Sequence, residues 1–133
     1  MASGIYNIQK ADWMNKEVDM ESDVYKIALL NNSHSFTATD TTWAAISGNE
    51  ISGTGYTAGG VALANKAVTV GATTKWDADD AAWTTATFSA WHAVIYNVTT
   101  GKLSASMDLG GEQQVTSQTL TLIFNAAGIE TIA

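Results

Sequence analysis

Alternation of apolar and polar side chains dominates the second half of the chain and predicts antiparallel strands. Over residues 84–98, Phe88 and Ala90 alternate with Thr87 and Ser89, after which Val94, Tyr96 and Val98 oppose Ala93 and Ile95. Thr99-Thr100-Gly101-Lys102 has the residues of a hairpin turn. Beyond it, Leu103, Ala105, Met107 and Leu109 alternate with Ser104, Ser106 and Asp108, a half-exposed strand that Gly110-Gly111 is expected to end. Leu120, Leu122 and Phe124 mark the inward face of a last long strand, and Ala126-Ala127-Gly128-Ile129 reads as a terminal turn. Nearer the start, Val24 to Leu30 is apolar on both faces except at Lys26, the pattern of a central strand covered on both sides.

The remaining segments complete the outline. Residues 4–16 predict a helix, with Ile5, Ile8 and Trp13 on one face and Ser3 as N-cap. Residues 17–23 form an acidic, solvated connection, and Thr41 to Ile46 a short helical turn. Val61 and Leu63 are odd-numbered whereas Val68 and Val70 are even-numbered. A period of two cannot keep one face through that change, so Asn65-Lys66 marks a bulge or a turn, and two strands or one bulged strand fit equally. Roughly seven short strands, with turn signals about every ten residues, predict a mainly β fold: an antiparallel β-sandwich or barrel with a short N-terminal helix over one end. The expectation is a single β-rich domain over residues 1–133, with 1–23 as helix and acidic connection.

Four glycines, Gly53, Gly55, Gly59 and Gly60, crowd the connection before Val61, with Tyr56 the one large side chain among them and the expected anchor of the loop. Neither G-x-G-x-x-G nor G-x-x-x-x-G-K-[ST] is present, and a strand pattern follows where a phosphate-binding helix would begin. Composition narrows the partners further. The net charge is −7, with six dispersed lysines and no arginine, which excludes clustered phosphate neutralisation and so argues against nucleic acid. A basic or neutral protein surface suits such a chain better. No window approaches the ~20 apolar residues of a membrane span, and no membrane partner is expected. Without cysteine or proline, there is no thiolate site, and loops are shaped by Gly, Asn, Asp and Thr.

Candidate chemistry is sparse. Asp77, Asp79 and Asp80 are spaced like the start of a calcium loop, but Ala82 stands at the sixth position where glycine is required and Phe88 at the twelfth where a bidentate Glu belongs. A turn in which the Asp side chains cap backbone N–H groups over Trp76 and Trp83 is the preferred reading, with no metal or cofactor. His92 shares a face with Val94 and has no histidine or cysteine near it in sequence, so a packed, hydrogen-bonded role is expected; His34 lies far away along the chain. Trp43, Trp76, Trp83 and Trp91 are expected in the core. G-x-S-x-G is absent, and a carboxylate pair such as Asp79 with Asp108 would depend on the fold to bring it together. A non-enzyme is expected.

The runs ISGTGYTAGGVALANKAVTV, VYKIALLN, WDADDAAWTTATFSAWHAVIYN and QTLTLIFNAAGI resemble, in order over residues 24–129, a family of small virion proteins of tailed bacteriophages and prophages, some of which look like capsid decoration (cement) proteins. The resemblance implies a structural protein made in the bacterial cytoplasm and carried on the capsid exterior. Its expected partners are the major capsid protein and copies of itself, as a homotrimer. A tail or fibre component touching the host surface, with a sugar-binding aromatic face, is the alternative. The family likeness carries no catalytic or binding residue with it. Partner contacts are expected at Gly53, Gly55, Tyr56, Gly59 and Gly60 and in the N-terminal segment.

Overall fold

A computed structural model describes residues 4–125 and 128–132. Its elements are β1 (Gly4–Ile5), α1 (Asn7–Asn15), β2 (Tyr25–Leu30), α2 (Trp43–Ile46) with a 3₁₀ turn over Ser47–Asn49, β3 (Val61–Ala62), β4 (Ala67–Thr69), β5 (Thr74–Asp77), β6 (Ala81–Asn97), β7 (Leu103–Leu122) and β8 (Glu130–Ile132). The expected mainly β, antiparallel, sandwich-like fold is present. A five-stranded sheet runs β1-β7-β6-β2-β3, and a three-stranded sheet runs β4-β5-β8.

The strand β6 organises the larger sheet. It pairs with β2 from Leu30↔His92 to Tyr25↔Asn97, and with β7 from Ala81↔Leu122 to Tyr96↔Leu103. Its two halves differ in environment. From Ala81 to Ala90 one face is buried and the other is open, which is the alternation legible in the sequence; from His92 to Asn97 every residue is buried. On one face Ile27, Leu29, Ala93 and Ile95 join Trp76 and Trp83 beneath the small sheet. On the other, Ala28, Leu30, Val94 and Tyr96 are covered by Tyr6, Ile46 and the half-buried Phe36 and Trp43. Both faces of β2 are thus covered, as its sequence predicted.

Four expectations are corrected. Gly110-Gly111 does not end a strand, because β7 continues to Leu122. Between the pairs His92↔Asp108 and Ala90↔Gln113 the single residue Trp91 faces Leu109 to Glu112, and both glycines have positive φ (82° and 122°), so they absorb the excess as a bulge. The parity break at Asn65-Lys66, open between a bulge and a turn, is the turn, and the two strands it joins lie in different sheets, with Asn65 at φ 54°. The helix begins at Asn7, capped at Tyr6; Ser3 lies outside the described residues, as do Ala126 and Ala127 of the expected terminal turn. The helix also buries polar residues, Gln9 and Asp12, in place of the Ile5/Ile8/Trp13 face, since Ile5 belongs to β1 and pairs with Ala105. Of the four tryptophans expected inside, Trp76 and Trp83 are buried, while Trp43 and Trp91 are half-buried; Trp43 stacks on Tyr96 with ring centroids 4.5 Å apart.

The glycine-rich connection lies flat on the sheet. Gly60 (φ 83°) passes so close to β2 that an added Cβ would lie 2.0 Å from the Ile27 carbonyl oxygen. Tyr56 anchors the loop as expected: its hydroxyl donates to Glu50 Oε2 (2.5 Å) and accepts from the Leu29 N–H (3.0 Å), while its ring packs on Trp83 and Phe88. Two substitutions separate conformation from contact. Gly60→Ala combines a positive φ with a backbone collision and should cost more than about 3 kcal/mol. Gly48→Ala meets nothing within 4 Å and should leave stability within about 0.5 kcal/mol of wild type. Urea unfolding midpoints of the two variants check this.

Candidate functional site

Exposed apolar side chains gather where α1 and β8, near the two ends of the described chain, line one hollow. Lys16 takes a left-handed conformation (φ 58°) and closes α1, its N–H bonding back to the Trp13 carbonyl. The acidic connection then folds over its own carboxylates. Asp19 Oδ1 accepts the N–H groups of Glu21 (3.0 Å) and Ser22 (3.1 Å), and those bonds hold its carboxyl below the usual range. Asp23 Oδ2 accepts from Asn97 Nδ2 (2.9 Å), and Glu21 Oε2 accepts the Val68 N–H (3.0 Å), which ties the connection to β4. Met20 projects inward from it. Its sulfur receives Trp13 Nε1–H (3.2 Å) and the Tyr25 hydroxyl (3.2 Å), and its carbonyl receives Trp76 Nε1–H (2.7 Å).

Three hollows open along this seam. An apolar socket of about 170 Å³ is walled by Trp13, Met20, Val68, Trp76 and Ile132, with Glu130 contributing to its lining. On one side it shares Trp13 and Ile132 with a wider apolar hollow of about 350 Å³ that adds Ile5 and Met14. On the other side it shares Met20 and Val68 with a polar hollow of about 550 Å³ bordered by Glu17, Asp19, Glu21 and Asp23. Around the seam Met14 is 85% exposed, Ile132 54% and Val68 40%.

Beneath it lies a buried polar cluster. Glu130 is 2% exposed and accepts hydrogen bonds from Gln9 Nε2 (3.2 Å) and Ser104 Oγ. Burial pushes its carboxyl up to about 7, against the two hydrogen bonds that pull it down. Tyr25, within reach of Gln9 (3.4 Å), is pushed up to about 12 by burial. A buried carboxyl that titrates near neutrality is a feature of many catalytic sites. Here its oxygens are turned to Gln9 and Ser104, and the Ser104 hydroxyl is itself fully buried beneath the surface.

The sequence-derived candidates fall elsewhere. Asp77, Asp79 and Asp80 do not converge: Asp77 accepts the Ala78 N–H, Asp79 the Asn65 side chain (2.6 Å) and Asp80 the Phe124 N–H (2.9 Å). Among the described residues no group of three or more potential metal ligands occurs. Asp79 lies before the start of β6 and Asp108 opposite His92, separated by roughly 30 Å or more of strand, so they form no carboxylate pair. The two histidines do meet, against the sequence expectation that His92 has no histidine near it. Their rings cross edge to face at 5.1 Å, with His34 Nε2 3.0 Å from Ser106 Oγ and His92 Nδ1 buried without a partner. Burial first, and His92 second, hold His34 below its ordinary value, which favours its neutral form. Of the expected contact residues, Gly53 and Gly55 lie against the backbone of Thr87 and Ala86, Gly59 donates its N–H to Glu50 (2.7 Å) and Gly60 is buried; the loop's contacts are internal.

Sequence reasoning missed Met14, Met20, Val68, Glu130 and Ile132. The parity break that set Val68 and Val70 apart from Val61 and Leu63 was the one signal pointing here, since it left two valines with no core face to join. The pH dependence of the Glu130 cluster is testable. The unfolded carboxyl ionises near 4.5 and the folded one near 7, so the stability contributed by the neutral group is fully present below 4.5 and is lost as pH rises to 7. That loss amounts to about 3 kcal/mol. Glu130→Gln should therefore match wild type near pH 4 and exceed it by up to that amount at pH 8, read as the difference between urea midpoints.

Comparison with protein-family models, with curated proteins and with solved structures finds no match to this chain.

Proposed function

We propose that this chain is a non-enzymatic virion structural protein of a tailed bacteriophage, a decoration (cement) protein that binds the major capsid protein on the outside of the shell. The resemblance over residues 24–129 supplies the particle. The seam between α1, the acidic connection and β8 is the observation that carries a binding role. It exposes Met14, Val68 and Ile132 beside an acidic border, a chemistry suited to another protein's surface, and none of the aspartate, histidine or carboxylate-pair candidates assembles into a reacting constellation. A net charge of −7 fits a place away from packaged DNA. Attachment through this seam would add contact area between neighbouring capsomers, and many weak attachments around a closed lattice would hold strongly together. Copies of the chain, grouped as a trimer at three-fold positions, complete the proposal.

Quantitative mass spectrometry of purified particles tests it. The expected result is a copy number in the hundreds that follows the major capsid protein through removal of tails. A few copies per particle, partitioning with tails, would assign the chain to a tail or fibre instead.

A further inference from the structure

The three hollows share their walls in a fixed order, and the order has a polarity. Met14 and Ile5 stand at one end, Trp13 and Ile132 join the first hollow to the second, Met20 and Val68 join the second to the third, and four carboxylates border the far end. We infer that this groove is the docking site for one segment of another protein that carries apolar anchor residues at one end and basic residues at the other, the anchors seated against Met14 and Trp13 and the basic end over the acidic connection. The inference rests on the proposed binding role, and it adds the chemistry and direction of the partner segment.

Size, composition and charge each point to that occupant. At about 170 Å³ the middle socket is smaller than the ~300 Å³ at which small-molecule sites begin, so it suits one large side chain. Its wall of Trp13, Met20, Val68, Trp76 and Ile132 provides aromatic and thioether surface that adapts to an aliphatic or aromatic anchor. At the acidic end Glu17, Asp19, Glu21 and Asp23 face only Lys16 as a counter-charge, whereas the apolar hollows carry Lys10 and Lys75 on their borders. The bonds that Asp19, Glu21 and Asp23 accept from backbone and side-chain N–H groups fix their positions and leave their charge in place. A segment lying the other way would set its basic end beside Lys10 and its apolar anchors against the carboxylates. A second copy of this chain is a poor occupant, because it brings a further net charge of −7 and no arginine.

The test uses the full chain and its own tryptophans, since Trp13 and Trp76 line the socket. The probes are two capped peptides of nine residues, each with two leucines spaced by two glycines, one ending in three lysines and the other in three glutamates. Fluorescence titration at low salt should show the lysine peptide binding about tenfold or more tightly than the glutamate peptide, with the difference shrinking as salt is raised. Met14→Asp should weaken the lysine peptide by about tenfold, and Glu17→Lys by about threefold, while both variants keep the wild-type unfolding midpoint. Equal binding of the two peptides, absence of any lysine-peptide binding, or wild-type affinity in both variants would overturn the inference. Copy number on particles is independent of all three results, so a failure here leaves the capsid assignment to its own test.

Discussion

The double ladder of β6 is the constraint on which the other contacts depend. Over His92 to Asn97 its backbone is paired on both edges, to β2 and to β7, while its side chains are buried on both faces. Backbone polar groups can be withdrawn from water there only because each finds a partner in a neighbouring strand. Two separate apolar clusters then form, one on each face, from alternate residues of a single strand. Loss of either cluster would leave Val94 and Tyr96, or Ala93 and Ile95, in solvent and forfeit the stabilisation of their burial.

A second organising element is polar. Met20, held by Trp13, Tyr25 and Trp76, and Glu130, held by Gln9 and Ser104, stitch α1, β2, β5, β7 and β8 together beneath the exposed seam. These bonds explain why α1 buries Gln9 in place of an apolar side chain. The apolar residues left outward by that choice, Trp13 and Met14, become walls of the groove. Structure and surface chemistry here have one cause.

Much of the fold was legible in the sequence, and the reasons differ by element. The strand β2 announced itself as a run with no polar face, and the Thr87 to Ala90 stretch of β6 by its alternation, because in both cases burial follows the pleat. The glycine pair at Gly110-Gly111 misled, since glycine serves a bulge as well as a stop and only the partner strand decides between them. The strands β1 and β8 are two and three residues long, too short to have a period at all. The candidate site was the least legible part. It is assembled from side chains at Ile5, Trp13, Met20, Val68 and Ile132, whose proximity is set by tertiary pairing and leaves no local spacing to read. The His34–His92 contact was hidden for the same reason.

The span of those tertiary pairings bears on the order in which the molecule is built. The β6–β7 hairpin closes over a short turn, whereas β1 pairs with residues a hundred positions later, and the Gln9–Glu130 bond closes a separation of 121 residues. Closing long loops costs chain entropy that is recovered only once both ends have a surface to dock on. On that ground the β6–β7 hairpin is the expected early platform, and β1, α1 and β8, which close the longest loops, are the expected late additions. Trp13, Met14 and Ile132, which wall two of the hollows, sit on these elements and reach their places only when those long loops close.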